Sequence, residues 1–127
     1  MAHFILEYSA NLNEQELQLD TLFTALHDAV VDTGLFPSPG IRCRAHRCED
    51  FRVANGKPEN AFVHINFRLG PGRSDTDQEN AFAQLKETIS SHFKPVKESR
   101  PFALSFEMSE LPEKLRFNLN NLRDYMS

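Results

Sequence analysis

Hydrophobic and polar residues along this chain follow a two-residue period, then a helical period, then a two-residue period, and the whole order is then repeated. The first unit opens on the β-prone run His3 to Tyr8. The polar stretch Ser9-Ala10-Asn11-Leu12-Asn13 follows and supplies N-cap residues for a helix starting near Asn13. Leu19, Leu22, Phe23, Leu26 and Val30 recur at steps of three and four, so one apolar stripe runs along that helix and stops before Gly34. Pro37, Pro39 and Gly40 break the chain. Ile41 to His46 then alternates, with Arg42, Arg44 and His46 on one face.

The periodicity dissolves between Arg47 and Asn60, where Asn55-Gly56 predicts either a hairpin turn or an excursion from the sheet. The second unit begins at Ala61. Through Leu69 it places Val63, Ile65, Phe67 and Leu69 on one face and His64, Asn66 and Arg68 on the other. Ser74 with Asp77 reads as a capping-box start, and Phe82, Leu85, Ile89, Phe93 and Val96 form the second helical stripe, with Pro95 expected to kink or end it. Leu104, Phe106 and Met108 alternate with Ala103, Ser105 and Glu107 in a last strand. The tail from Pro112 is polar with scattered Leu and Phe, and its pattern leaves open whether it packs on the body or on a neighbour.

Two strand–helix–strand units predict an α+β fold: right-handed crossovers, four strands in one sheet, and both helices on one face. The other sheet face then carries groups such as Arg42, Arg44, His64 and Asn66 and needs cover, which an oligomer provides. With 127 residues, 40% of them apolar, the chain suits a single domain spanning 1–127. A net charge of −4 offers no basic field for nucleic acid. No run is apolar enough for a membrane span, and Met1-Ala2-His3-Phe4 lacks a signal-peptide pattern, so a cytoplasmic protein is expected.

The chemistry-bearing residues are few. Cys43 and Cys48 are spaced as neither a redox pair nor a zinc hook; on an extended strand Cys43 faces away from His46 and Cys48, so no metal is expected. The loop Gly70-Pro71-Gly72-Arg73-Ser74 is the best anion site. Its glycines allow close backbone approach, the following helix N-terminus presents free N–H groups, and Arg73 adds a planar fork of donors. Asp75, Asp77 and Glu79 crowd that helix start and oppose an anion unless they face away. Arg44 and His64 are further candidates for ligand contact, each with an ordinary role in a salt bridge or sheet hydrogen bond as the alternative. Glu7 and Glu107 read as partners of arginines, and His27 and His92 as helix-surface or packing residues. Ser99 has no nucleophile elbow around it.

Several strings in order resemble the 5-carboxymethyl-2-hydroxymuconate isomerase family of the tautomerase superfamily. They are Ala2-His3-Phe4-Ile5-Leu6-Glu7, Thr33-Gly34-Leu35-Phe36-Pro37 with Gly40-Ile41-Arg42, Ala61-Phe62-Val63-His64, Gly70 through Ser74, Glu98-Ser99-Arg100, and Ala103 through Glu107. The resemblance implies a homotrimer of two-unit subunits with active sites near subunit boundaries. It implies a 1,3-proton transfer on a multiply carboxylated unsaturated acid in homoprotocatechuate breakdown, with no metal or organic cofactor. Arg42 and Arg73 match the family's carboxylate-binding arginines. The family's base is the amine of an amino-terminal proline exposed by loss of the initiator Met, and this chain has Ala2 there. Two readings follow: a primary amine at Ala2 replaces the proline, or the protein is an inactive binding or scaffold member. A different reaction, such as decarboxylation or hydration, would require an additional base that the sequence does not offer.

Overall fold

A computed structural model describes residues 1–126. The elements are β1 (Ala2–Ser9), α1 (Glu14–Leu17), α2 (Leu19–Asp32), β2 (Ile41–Cys48), β3 (Ala61–Leu69), α3 (Asp75–Ser99) and β4 (Phe102–Glu110). The four strands form one sheet in the order β2-β1-β3-β4. β1 pairs parallel with β2 and antiparallel with β3, and β3 pairs parallel with β4. Each parallel pair is therefore joined by a helical crossover, and the repeat read from the pattern is the repeat of the fold.

The helix-facing side of the sheet is the core. Phe4, Leu6, Val63, Ile65, Phe67 and Leu69 are buried there against Leu22, Leu26 and Val30 of α2 and Leu85, Ile89 and Phe93 of α3. Each such side chain contributes roughly 1.5–3 kcal/mol by leaving water. Phe4 and Phe67, cross-strand partners, stack with ring centroids 4.3 Å apart. The opposite side carries the other alternation phase. The strand register sets His3 beside Arg42 and Arg68, Ile5 beside Arg44 and Asn66, and Glu7 beside His46 and His64. Arg42, Arg44, His64 and Asn66 thus do share that second face.

Several local expectations are corrected. The first helix is divided: Asn13 caps α1 in a complete capping box with Glu16, but Gln18 takes a left-handed φ of 47° and α2 starts afresh. Of the two readings offered for Asn55-Gly56 the excursion holds: the turn has no flanking strands, and residues 49–60 are held by Asn60 Nδ2 donating to Val53 O and Asn55 Oδ1. The α3 stripe uses Ala81, while Phe82 is 37% exposed and stacks on Phe106. Ser74 Oγ accepts from the Asp77 N–H as a single cap bond. Pro95 does not end α3, which runs to Ser99 because Val96 beyond it is packed in the core. The tail after β4 leaves Leu115, Phe117 and Leu119 almost fully exposed. Among the described residues no helix is long and apolar enough to cross a membrane.

Candidate active site

Topology brings three sequence-distant segments to one end of the sheet. β1 is central, its start lies in register with Ile41 at the start of β2 and with Leu69 at the end of β3, so the chain terminus meets the Gly40 and Gly70 loops. Ala2 is buried at that meeting point, with Met1 wedged between the loops. The Gly70 N–H donates to Met1 O at 2.9 Å. A methyl group added at Gly40 would lie 3.5 Å from the Met1 nitrogen, and one added at Gly70 would lie 3.7 Å from Met1 O. Both distances are ordinary van der Waals contacts, so the terminus sits directly against each loop.

Arg73 closes one side. Its Nη1 donates to Gly70 O at 2.8 Å and its Nη2 to Leu35 O at 2.8 Å, and the guanidinium lies 4.0 Å from the centre of the Phe36 ring. Two of five N–H donors are thereby used, and the rest remain for a ligand. Partial burial lowers the Arg73 pKa, and Glu110 works in the opposite direction. Glu110 is itself held by Gln78 Nε2, which also donates to Arg73 O. Glu110, rather than Asp75, Asp77 or Glu79, is thus the acid that acts on this arginine.

Arg42 closes the other side from β2. Its Nη1 is buried and has no hydrogen-bond partner among the described residues. An orphaned guanidinium nitrogen is costly unless something anionic meets it, and here it lies near the chain amine. His3, its neighbour in register, accepts at Nδ1 from Arg44 Nη1 at 3.1 Å. Burial and then the charges of Arg42, Arg44, Arg68 and the chain amine push the His3 pKa down. The Met1 amine is lowered too, first by burial and then by Arg73, Arg42 and Arg116. Every charge acting on that amine is cationic. The arrangement therefore offers a nitrogen biased toward its neutral, proton-accepting form beside guanidinium groups able to hold carboxylates.

Of the residues singled out from the sequence, the structure gathers Ala2, Arg42 and Arg73. Arg44 reaches the edge of the cluster through His3. His64 lies apart, level with Glu7 along the strands, where Nδ1 meets Ser105 Oγ at 2.6 Å and Nε2 meets Glu107 Oε1 at 3.0 Å. Glu107 pairs with this histidine rather than with an arginine. Cys43 sits on the helix side with its thiol pKa pushed up to about 11 by burial. His3, Phe36, Glu110 and Arg116 were not foreseen: alternation gives His3 and Glu110 a face but no role, and Arg116 belongs to a tail without periodicity. A cavity of about 690 Å³ between α3 and β4, with Phe93, Lys94, Lys97 and Phe102 on its walls, is at the other end of the sheet and touches none of these groups.

Residues 2–126 match the family model for 5-carboxymethyl-2-hydroxymuconate isomerase. The chain belongs to that family. It is 41% identical over 122 residues, 96% of both chains, to the 5-carboxymethyl-2-hydroxymuconate Delta-isomerase of Escherichia coli. The crystal structure of a 5-carboxymethyl-2-hydroxymuconate isomerase from Deinococcus radiodurans R1 superposes with a TM-score of 0.89 at 31% identity, covering 99% of this chain and 95% of that one. A structure described as a fused 4-OT wild type symmetric trimer shares the fold at a TM-score of 0.62 and 22% identity, with 86% of each chain covered. Membership in the 5-carboxymethyl-2-hydroxymuconate isomerase family places this enzyme among the isomerases of the tautomerase superfamily. The motif strings spread from Ala2 to Glu107 were sufficient to reach the family, because their order follows the two repeated units.

Proposed function

We propose that this enzyme ketonises 5-carboxymethyl-2-hydroxymuconate by 1,3-proton transfer, with the amine of Ala2, freed by removal of Met1, as the base. The observation that carries the proposal is the convergence of the chain terminus with Arg42 and Arg73 in a family of isomerases acting on this acid. Loss of Met1 would have two chemical consequences. The slot between Gly40 and Gly70 opens onto the Ala2 nitrogen, and the Gly70 N–H, now bonded to Met1 O, becomes a free donor at the same spot. The burial and the cationic surroundings that lower the Met1 amine pKa would act on its successor, biasing it toward the neutral form.

The neutral amine takes a proton from one end of the three-atom unit, the double bond shifts, and negative charge develops on the enol oxygen. The resulting ammonium returns the proton at the other end, so no atom is gained or lost. Arg42 and Arg73 bind carboxylates of the acid, and the Gly70 N–H or a spare Arg73 N–H meets the developing oxyanion; donors of this kind are worth about 10²–10³ in rate each. A primary amine lacks the ring that fixes proline's lone pair, but β1 pairing on both sides holds Ala2 in place. The polar second sheet face, the exposed tail side chains and the trimer among similar structures support a homotrimer of these subunits. The reaction belongs to homoprotocatechuate breakdown, by the substrate named for its relatives.

The experiment follows the ultraviolet absorbance of 5-carboxymethyl-2-hydroxymuconate with protein whose amino terminus has been defined by mass. Turnover that disappears when the Ala2 amine is acylated supports the proposal. Absence of turnover above the solution rate, with Ala2 as the confirmed terminus, would make the protein a binder that has lost its base.

A further inference from the structure

The chain after β4 crosses the mouth of the site. Leu111 continues the β4 pairing, its N–H donating to Leu69 O at 2.7 Å, which starts the tail beside Gly70. Nine residues later Asn120 Nδ2 donates to Pro39 O at 2.8 Å, which pins the tail beside Gly40. Gly70 and Gly40 are the two loops that flank the terminus, so residues 112–119 span the opening between them. Leu115 turns the chain with a positive φ of 61°, a conformation bulky residues rarely adopt, immediately before Arg116. Phe117 and Leu119 then stand in solvent, whereas the exposed Asn120 bonds back to Pro39 O. Arg116 makes no hydrogen bond or ion pair among the described residues, and it is one of the three guanidinium groups whose charge reaches the Met1 amine.

From this geometry we infer that Arg116 is a specificity-determining residue, a third guanidinium that binds the third carboxylate of a tricarboxylate substrate. The inference rests on the function proposed above. Muconate is a dicarboxylate and the carboxymethyl group adds one more, while Arg42 and Arg73 supply two carboxylate partners from the sheet and the Gly70 loop. Arg116 comes from the tail that spans the opening, and among the described residues none of its donors is used. It is an exposed cation, so its contribution falls within the range of a single charge-assisted contact.

The test compares the native enzyme with Arg116→Gln and Arg116→Lys in two assays. Calorimetric titration uses propane-1,2,3-tricarboxylate, which cannot react, against glutarate. Kinetics use 5-carboxymethyl-2-hydroxymuconate against 2-hydroxymuconate, which lacks the third carboxylate. Arg116→Gln should weaken tricarboxylate binding by about five- to tenfold and raise KM for the tricarboxylate substrate alike, with kcat kept and both dicarboxylates within about twofold. Arg116→Lys should recover most of the loss. Unchanged tricarboxylate affinity in Arg116→Gln, or equal weakening of tri- and dicarboxylates, overturns the assignment. If the native protein turns nothing over yet binds the tricarboxylate through Arg116, the assignment stands and the proposed reaction falls.

Discussion

Arg73 has two duties, and Arg73→Lys separates them. The lysine keeps a positive charge at the site but cannot reach Gly70 O and Leu35 O together, nor lie flat on Phe36. Each lost carbonyl bond costs about 1 kcal/mol net, and the cation–π contact at this partly exposed position about 0.5–1 kcal/mol. The total of about 2–3 kcal/mol falls on the junction between the Leu35–Phe36 segment and the Gly70 loop. For a chain of this length it lowers Tm by about 10 °C.

The chemical duty is read separately. Turnover should fall by about 10²–10³ in kcat/KM, because an ammonium offers the oxyanion or carboxylate a single mobile contact where the guanidinium offers a fixed pair. Thermal unfolding followed by circular dichroism gives the first quantity, and absorbance kinetics well below Tm give the second. A Tm within about 1 °C of the native value would refute the clamp. Full kcat/KM with a lowered Tm would show that Arg73 only builds the loop.

Ala2→Pro should keep the fold, since Ala2 is the first residue of β1 and Pro is tolerated at a strand start, and should raise kcat several-fold once Met1 is removed; steady-state kinetics on protein of verified terminus checks it. Stability should rise with pH up to the ordinary values of 6.5 for His3 and 8.0 for the chain amine: both have lowered pKa values when folded, so the unfolded chain binds more protons between the folded and unfolded values. Acidification through that window therefore destabilises, and His3→Gln should flatten part of the Tm-against-pH curve. Arg100→Ala should lower stability by about 3 kcal/mol without raising KM, because Arg100 joins Glu16, Asn11 O and Glu59 O far from the site; denaturant titration with parallel kinetics tests both halves. Glu16 is tied to the same centre: burial pushes its pKa up, but the Asn13 N–H and Arg100 outweigh it and hold it low, so this contribution is lost as pH falls through the folded value.

What the sequence determined by itself is whatever depends on neighbours a few residues apart. Alternation set which residues of β3 and β4 face the helices, since successive side chains on a strand must point to opposite sides. The helical stripes located the faces of α2 and α3, and Ser74 and Asn13 marked where helices begin. Arg42 and Arg73 were legible as anion-binding candidates because each stands on a local pattern with its own physical meaning, an alternating strand and a glycine loop before a helix.

Only the tertiary structure decided which of these groups act together. The start of β1 meets the Gly40 and Gly70 loops because β1 is parallel to β2 and antiparallel to β3, a fact of strand order that local periodicity does not contain. The same order carries His64 away from the cluster and brings Glu110 and Arg116 to it from the far end of the chain. Continuation of α3 through Pro95 was likewise settled by packing, because burial of a side chain such as Val96 outweighs the intrinsic preference of one residue. Periodicity is a property of the backbone and can be read residue by residue. A site is a meeting of backbones, and its chemistry, a depressed amine among guanidinium groups, exists only once they are folded together.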